Sequence, residues 1–374
     1  MILRVFISSF ILQAILLFPA FQVQADDQMT SLEERLKALD NQIKEITGPT
    51  EETMAPDEAE IWPGTEAEQT DTPILVSDIQ TGETVEEGDC VQGNCITGKG
   101  VMKYPGGGTY DGEFVGGRKN GKGTFIFSSG MSYAGEFLGG VRHGKGTETY
   151  QDVSRYEGEF ELGVPQGKGI LTLSDGVVYK GEFSGGQPNG TGTRTEPNGE
   201  VYVGKFVNGL PDGQGSMTFA DGSKYVGEWL SGQRTGQGEM MFSDGEKYVG
   251  QFLNNSPEGQ GVYSFNNGSS YDGQWMNGDR HGQGTMIYAN KGKYIGEWVN
   301  DKKQGKGEET YADGRRYKGE FSDGQWNGKG TMIFPDGRRY TGDFLNGEIE
   351  GRGTLTMSDG KKYTGTFQNG SLIN

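Results

Sequence analysis

From Tyr110 to the C-terminus, apolar and polar residues alternate in short runs, and the runs recur at a fixed interval. Tyr110, Tyr133, Tyr156, Tyr179, Tyr202, Tyr225, Tyr248, Tyr271, Tyr294, Tyr317, Tyr340 and Tyr363 stand 23 residues apart without insertion or deletion. A constant period of this size marks a repeat array rather than a set of ordinary globular domains. With each Tyr as position 0, position 2 is Gly and position 4 is Phe or Trp in all twelve copies. Positions 11 and 13 are Gly in every full copy, and also in the half-copy before Tyr110, as Gly98 and Gly100. Position 20 is usually Gly behind Asp or Asn, as in Asp221-Gly222 and Asp336-Gly337.

These spacings predict one β-hairpin per repeat. Positions 0, 2 and 4 share a face of the first strand because side chains alternate, and positions 11, 13, 15 and 17 share a face of the second. The Asp-Gly or Asn-Gly pair predicts a tight turn into the next strand. Gly at positions 2, 11 and 13 leaves bare backbone on which rings from the neighbouring strand can lie. A lone hairpin is not stable, whereas stacked copies bury one another's rings. The fold class expected is all-β: an elongated, single-layer, twisted antiparallel meander of stacked hairpins, with a short N-terminal helix. At roughly 10 Å per repeat the array extends roughly 110 to 120 Å. Having no second layer, it is expected to leave part of its ring-bearing face open or to have it covered by a partner.

Residues 1–25 read as a secretory signal peptide: Arg4, an apolar run from Val5 to Phe18, then Val23-Gln24-Ala25 before Asp26, with cleavage expected after Ala25. The run holds Ser8, Ser9 and Gln13 and falls short of the roughly 20 residues that span a bilayer. In 26–46, Met29, Leu32, Leu36, Leu39, Ile43 and Ile46 follow heptad spacing, and Ser31 with Glu34 forms a capping box. This is a short coiled coil that could make a homo-oligomer, or an amphipathic helix docked on the rest of the chain. Residues 47–89 read as an acidic, disordered linker, broken by the apolar islands Ile61-Trp62 and Ile74-Leu75-Val76. The array then occupies 90–374, with the half-copy as its N-terminal cap.

Composition sharpens this picture. Gly accounts for 67 of 374 residues without a three-residue period, and Pro for only 12, which excludes collagen and argues against a helical globule. The formal charge of −18 is uneven: 47–89 carry 13 acidic and no basic residues, while 90–374 carry 33 acidic and 30 basic. The acidity is that of the linker, and the absence of a net basic domain argues against nucleic acid.

The motif, as in Tyr133-Ala-Gly-Glu-Phe137 followed by His143-Gly-Lys-Gly146, or Tyr317-Lys-Gly-Glu-Phe321 followed by Asn327-Gly-Lys-Gly330, resembles the MORN repeat, the membrane occupation and recognition nexus. The resemblance covers 90–374. It implies an elongated β-meander without catalytic residues that serves as a scaffold, a dimerisation module or a phospholipid-binding surface. Asn255 and Asp301 at position 7 and Val153 at position 20 depart from its Gly pattern.

Residues that could carry chemistry are few. His143 and His281 occupy the same repeat position six repeats apart, roughly 60 Å on the expected pitch, too far to share a metal. The Gly-x-Gly pairs fall on strands, so no phosphate loop is indicated. The recurrent Glu at position 3, as in Glu113, Glu136, Glu159 and Glu182, reads as a solvated outer face. Cys90 and Cys95 are the only cysteines; in an exported chain they favour a disulfide stapling the first hairpin over a metal pair lacking further ligands. Arg315-Arg316, Arg338-Arg339 and Lys361-Lys362 precede Tyr in three consecutive repeats. Stacked, they form a ladder suited to anionic lipid headgroups, unless outer-face carboxylates such as Glu320 and Asp343 neutralise it. The sequons at Asn189, Asn254, Asn267 and Asn369 coincide with turn chemistry.

The functional expectation is an exported, non-enzymatic scaffold in the bacterial periplasm or outside the cell. It would need no cofactor or metal and would bind an unidentified protein partner. The alternative is a peripheral membrane or cell-envelope binder acting through the basic ladder, with an enzyme or a glycan-binding module a distant third.

Overall fold

The computed structural model describes residues 88–373; the signal peptide, the heptad segment and nearly all of the acidic linker lie outside the described residues. Twenty-six strands, from Asp89–Gly93 to Ser371–Leu372, form one sheet. Each is antiparallel to the next in chain order, as at either end and through the middle. No helix occurs among the described residues. The all-β meander expected from the period is therefore what the chain forms.

The Tyr225 repeat shows how 23 residues make one unit. Strand Lys224–Leu230 pairs with Gln233–Met241 so that Tyr225 meets Met240 and Gly227 meets Gly238; the register then jumps, and Glu228 meets Thr235. Gly236 and Gln237, left out on that side, pair with Phe252 and Gln251 of the following repeat. The backbone at Gly236 has φ of 56°, a left-handed conformation that Gly adopts at no steric cost. The second strand thus carries a bulge of two residues, which bends the sheet once per repeat.

The jump gives Tyr its place. Gly227, Gly238, Gly250 and Gly261 are consecutive partners across four strands, and each Tyr ring lies flat on the Gly pair of its own hairpin. A methyl group on Gly238 would stand 2.4 Å from the Tyr225 hydroxyl, and one on Gly227 2.5 Å from it. At the jump the hydroxyl donates to the position 3 carbonyl at 2.9–3.1 Å, in every repeat from Tyr110 to Tyr340. A buried hydroxyl must find such a partner, and here the backbone supplies it.

The rings lock the repeats together. Tyr133 meets Phe137 of its own repeat and Phe160 of the next, both edge to face, with centroids 5.0 and 4.9 Å away. The same two contacts recur along the array, for example at Tyr225 with Trp229 and Phe252, and at Tyr340 with Phe344 and Phe367. Each contact is worth about 0.5–1.5 kcal/mol beyond its area.

The expectation of an open ring face is overturned. The tyrosines from Tyr110 to Tyr340 are at most 4% exposed, and the position 4 rings are buried too. The cover comes from the array itself. Position 9 lies over the zipper: Arg142 over Tyr133 and Phe160, Arg280 over Tyr271 and Trp298, Lys303 over Tyr294 and Phe321, and Trp326 stacked on Tyr317. Position 15 and 17 side chains such as Met217, Phe219 and Phe242 pack against it from the side. Only Tyr363, in the last repeat, is 36% exposed.

The position 3 carboxylates are not simply solvated either. Glu182, Glu228 and Glu297 accept the N–H of position 12 across the bulge at 2.8–3.0 Å, as do Gln251 and Gln274. They cap the bulge, which explains their regularity. The two turns also differ from expectation. The two-residue turn lies at positions 6 and 7, both with positive φ, as in Asn208 (49°) and Gly209 (79°), which matches strand twist. At the Asp-Gly site the loop has three residues: Phe242 N–H donates to the Glu246 carbonyl, Gly245 N–H to that of Phe242, and Asp244 accepts the Glu246 N–H. Val153 and Lys291 take the left-handed position of Gly in two such loops.

Two outcomes follow. In Gly238→Ala the new methyl must displace the Tyr225 ring, at a cost of about 1–3 kcal/mol, whereas Tyr248→Phe loses one hydrogen bond, worth about 1 kcal/mol. Hydrogen exchange should accelerate in the altered repeat and its neighbours and not at remote ones; unchanged exchange in Gly238→Ala would show that the ring yields freely. Burial raises the hydroxyls of Tyr110, Tyr133, Tyr156 and Tyr179 to about 12. Because the folded value lies above the unfolded one near 10, their contribution is complete below pH ~10 and is lost as pH rises toward ~12. Alkaline titration should therefore show tyrosinate absorbance rising together with loss of sheet signal. Free titration near pH 10 with the sheet intact would contradict this.

Candidate interaction surfaces

With the ring face closed by its own side chains, functional surfaces must lie on the outer face or along the sheet margins. Two carboxylates on the ring face are engaged by neighbouring side chains. Glu148 and Glu309, at position 15, are buried. Glu148 pairs with Arg142 and accepts from the Tyr150 hydroxyl at 3.2 Å; Glu309 pairs with Lys303 and accepts from the Tyr311 hydroxyl at 2.5 Å. Burial lowers the Arg142 pKa and raises that of Tyr150. Both trios extend the lid over the zipper.

The six residues of the basic ladder divide into two rows. Arg315, Arg338 and Lys361 lie over the rings of Tyr311, Phe334 and Tyr363. Arg315 pairs with Asp313 and Arg338 with Asp336, each at 2.7–2.8 Å. Those aspartates also accept the backbone N–H of the same arginines, and this hydrogen bond is the main reason their carboxyls are held below the usual range. Arg316, Arg339 and Lys362 occupy the strand position before Tyr, so they project from the outer face. There Glu308 pairs with Arg316 at 3.9 Å and with Lys318 at 3.2 Å, and Asp343 pairs with Lys329. The Lys329 hydrogen bond lowers the Asp343 pKa.

Between these outer-face rows runs an open groove of about 660 Å³, lined by Lys318, Lys329 and Arg352 and by Thr331, Thr341 and Thr354 over a floor of Gly backbone. Register places Thr331, Thr341, Thr354 and Thr364 side by side on consecutive strands, and the hydroxyls of Thr331 and Thr341 stand 3.1 Å apart. Sequence reading missed this groove because its threonines come from positions 1 and 14, which vary along the array.

A second overlooked surface lies at position 5, just before the two-residue turn. Val207, Leu230, Leu253, Met276 and Val299 occupy it in five successive repeats, and each is 39–59% exposed. At roughly 10 Å per repeat they make an apolar rail roughly 40 Å long on one sheet margin. The signal was present in the sequence as an apolar residue five places after Tyr, but it was hidden among core positions of the same chemistry.

Cys90 lies in the first strand and Cys95 in its connection to the second, their sulfur atoms at disulfide distance, 2.10 Å, and their Cα atoms 5.9 Å apart. Cys95 is buried at the end of the core. His143 and His281 both stand at position 10, opposite Glu136 and Gln274. Among the described residues no group of three His, Cys, Asp or Glu could hold a metal, and no helix is long and apolar enough to cross a membrane.

A family model described as MORN repeat matches eleven consecutive segments, 110–132, 133–152, 156–178, 179–201, 202–224, 225–247, 248–270, 271–293, 294–315, 317–338 and 340–362. No curated protein matches the chain. Among solved structures, the SAS-4 (dCPAP) TCP domain of Drosophila melanogaster, in complex with a proline-rich motif of Ana2 (dSTIL), is similar at 13% identity over 47% of this chain and 84% of that one, with a TM-score of 0.26. The wild-type TCP10 domain of Danio rerio CPAP is similar at 16% identity over 72% and 99%, with a TM-score of 0.20. Virginiamycin B lyase from Staphylococcus aureus is similar at 10% identity over 74% and 97%, with a TM-score of 0.13.

If Cys90 and Cys95 are bonded, denatured protein should take up no alkylating reagent before reduction and two equivalents after it. Reduction should speed hydrogen exchange in 89–103 while leaving the Tyr225 repeat unchanged, because each repeat is stabilised mainly by its neighbours. Two reactive thiols in protein purified without reductant would refute the pairing.

Proposed function

Because the chain belongs to the MORN repeat family, we propose that it is a non-enzymatic scaffold, exported after cleavage behind Ala25 to the bacterial periplasm or the cell exterior. The rigid array holds a protein partner along its apolar margin. The observation that carries this reading is the rail of Val207, Leu230, Leu253, Met276 and Val299, exposed at one and the same repeat position in five successive repeats and so lined up along one margin. A contiguous exposed apolar strip of this kind marks an interaction site. Its repeat-locked spacing would impose order on whatever binds it.

The basic ladder supports lipid attachment less well. Of the six ladder residues, a planar anionic surface on the outer face meets only Arg316, Arg339 and Lys362, since Arg315, Arg338 and Lys361 lie over rings on the other side. No cofactor enters the proposal, because a scaffold requires none.

Cell fractionation followed by crosslinking mass spectrometry tests both halves. The mature chain should begin at Asp26, appear outside the cytoplasm, and crosslink a protein that is lost from the triple variant Leu230→Asp, Leu253→Asp, Met276→Asp. These side chains are exposed, so the variant should keep the sheet. Retention in the cytoplasm would refute export, and an unchanged partner in the variant would refute the rail.

A further inference from the structure

The groove on the outer face of the last repeats is lined by the cations Lys318, Lys329 and Arg352 and by no carboxylate. From Glu308 onward, the strand positions of that face carry six cations, Arg316, Lys318, Lys329, Arg339, Arg352 and Lys362, against five carboxylates, Glu308, Glu320, Asp343, Glu348 and Glu350; Glu350 accepts the Asn369 N–H toward the turn margin. Glu308 and Asp343 are taken by Arg316, Lys318 and Lys329. None of the ion pairs among the described residues involves Arg339, Arg352 or Lys362. Arg352 lines the groove of about 660 Å³ together with the row of threonine hydroxyls, and Arg339 and Lys362 stand two residues before Thr341 and Thr364 on the same face of their strands. Cations beside hydroxyl donors over bare Gly backbone suit a string of carboxylates, which accept from both.

The chain itself contains such a string. Residues 47–89 hold 13 carboxylates and no basic side chain. We infer that this acidic segment of one copy docks in the cationic groove of a second copy, joining two chains head to tail. Reach weighs against the same copy: even Glu51, 37 residues before Gly88, would reach the groove only near full extension, roughly 125 Å, against about 33 Å when relaxed. Arg339 and Lys362 lie on the twenty-third and twenty-fifth strands, roughly 105–115 Å from the first strand along the stacking direction. The middle of the acidic segment, near Glu68, is twenty residues from Gly88. That length spans roughly 70 Å when fully extended and about 25 Å when relaxed. A second copy meets no such limit. The contact is heterologous, so nothing closes it after two chains and it can propagate. It is electrostatic between exposed groups, so salt must weaken it. It uses neither the apolar rail nor its partner.

The test mixes equal amounts of full-length mature protein at natural isotope abundance and labelled with nitrogen-15. A zero-length carbodiimide crosslinker is applied at low and at high salt, and sedimentation velocity is followed over a concentration series. Mixed-isotope crosslinks are expected between carboxylates of 47–89 and Lys318, Lys329 or Lys362, with sedimentation rising with concentration at low salt only. Both should be lost in Arg339→Glu, Arg352→Gln, Lys362→Glu. They should also be lost in Glu66→Gln, Glu68→Gln, Asp71→Asn, which leaves the array untouched. Association that survives either variant, crosslinks confined to single copies, or monomers at low salt would overturn the inference. So would monomers whose groove lysines are protected only by vesicles containing phosphatidylglycerol, which would assign the groove to lipid headgroups.

Discussion

The structure depends on one contact, a tyrosine ring lying flat on a pair of glycines that face each other across a hairpin. The ring can approach only because neither partner has a Cβ: a methyl at Gly227 or Gly238 would fall within 2.6 Å of Tyr225 atoms or facing backbone. Lying flat, the ring brings its hydroxyl to the carbonyl of position 3, where the register jumps. The jump in turn requires a left-handed residue at position 11 and hands position 12 to the next repeat. Tyr, three glycines and the bulge are therefore one device. Moving any part of it by one residue would turn the ring to the other face of the sheet, which gives a physical reason for a 23-residue period without insertions.

The same contact explains how a single sheet keeps a dry core. A layered domain buries its apolar residues between two elements; here each Tyr is enclosed by the position 4 rings of two successive repeats, a lid at position 9 and the bare backbone beneath. The core is a row one ring wide. Stability is then local, and the ends are the weak points. At one end Cys95 closes the row. At the other, Tyr363 has no following ring and is the exposed member of the series.

What the sequence made legible follows from this economy. The period, the all-β class and the hairpin per repeat were readable because Tyr, Gly and Phe or Trp recur at positions that the zipper dictates. The covering of the rings was not, since position 9 alternates among Pro, Arg, Lys, Trp and Ile, residues that share the ability to lie over a ring and little else. The Glu at position 3 points outward as strand alternation requires, and Glu136 and Glu159 are exposed; what the sequence did not make legible is the bulge, invisible in any single-strand pattern, which brings Glu182, Glu228 and Glu297 onto the position 12 amide. The Asp-Gly pairs did mark turns. Their three-residue geometry, with Gly alone in the left-handed region, depends on pairing beyond them.

Once the inward positions are fixed, the remaining ones are free to differ from repeat to repeat without cost to the core. Position 1 reads Val203, Val226 and Val249 in successive middle repeats, then Lys318, Thr341 and Thr364 in the last three; position 5 is apolar from Val207 to Val299 and polar at Ser184 and Ser322 on either side. A uniform frame thus carries unlike surfaces at defined distances, each about 10 Å per repeat from the next. Organisation of partners requires spacing, and the array supplies it. The two surfaces we propose for binding, along the margin and at the groove of the last repeats, both draw on that spacing, with the ring zipper holding them in register.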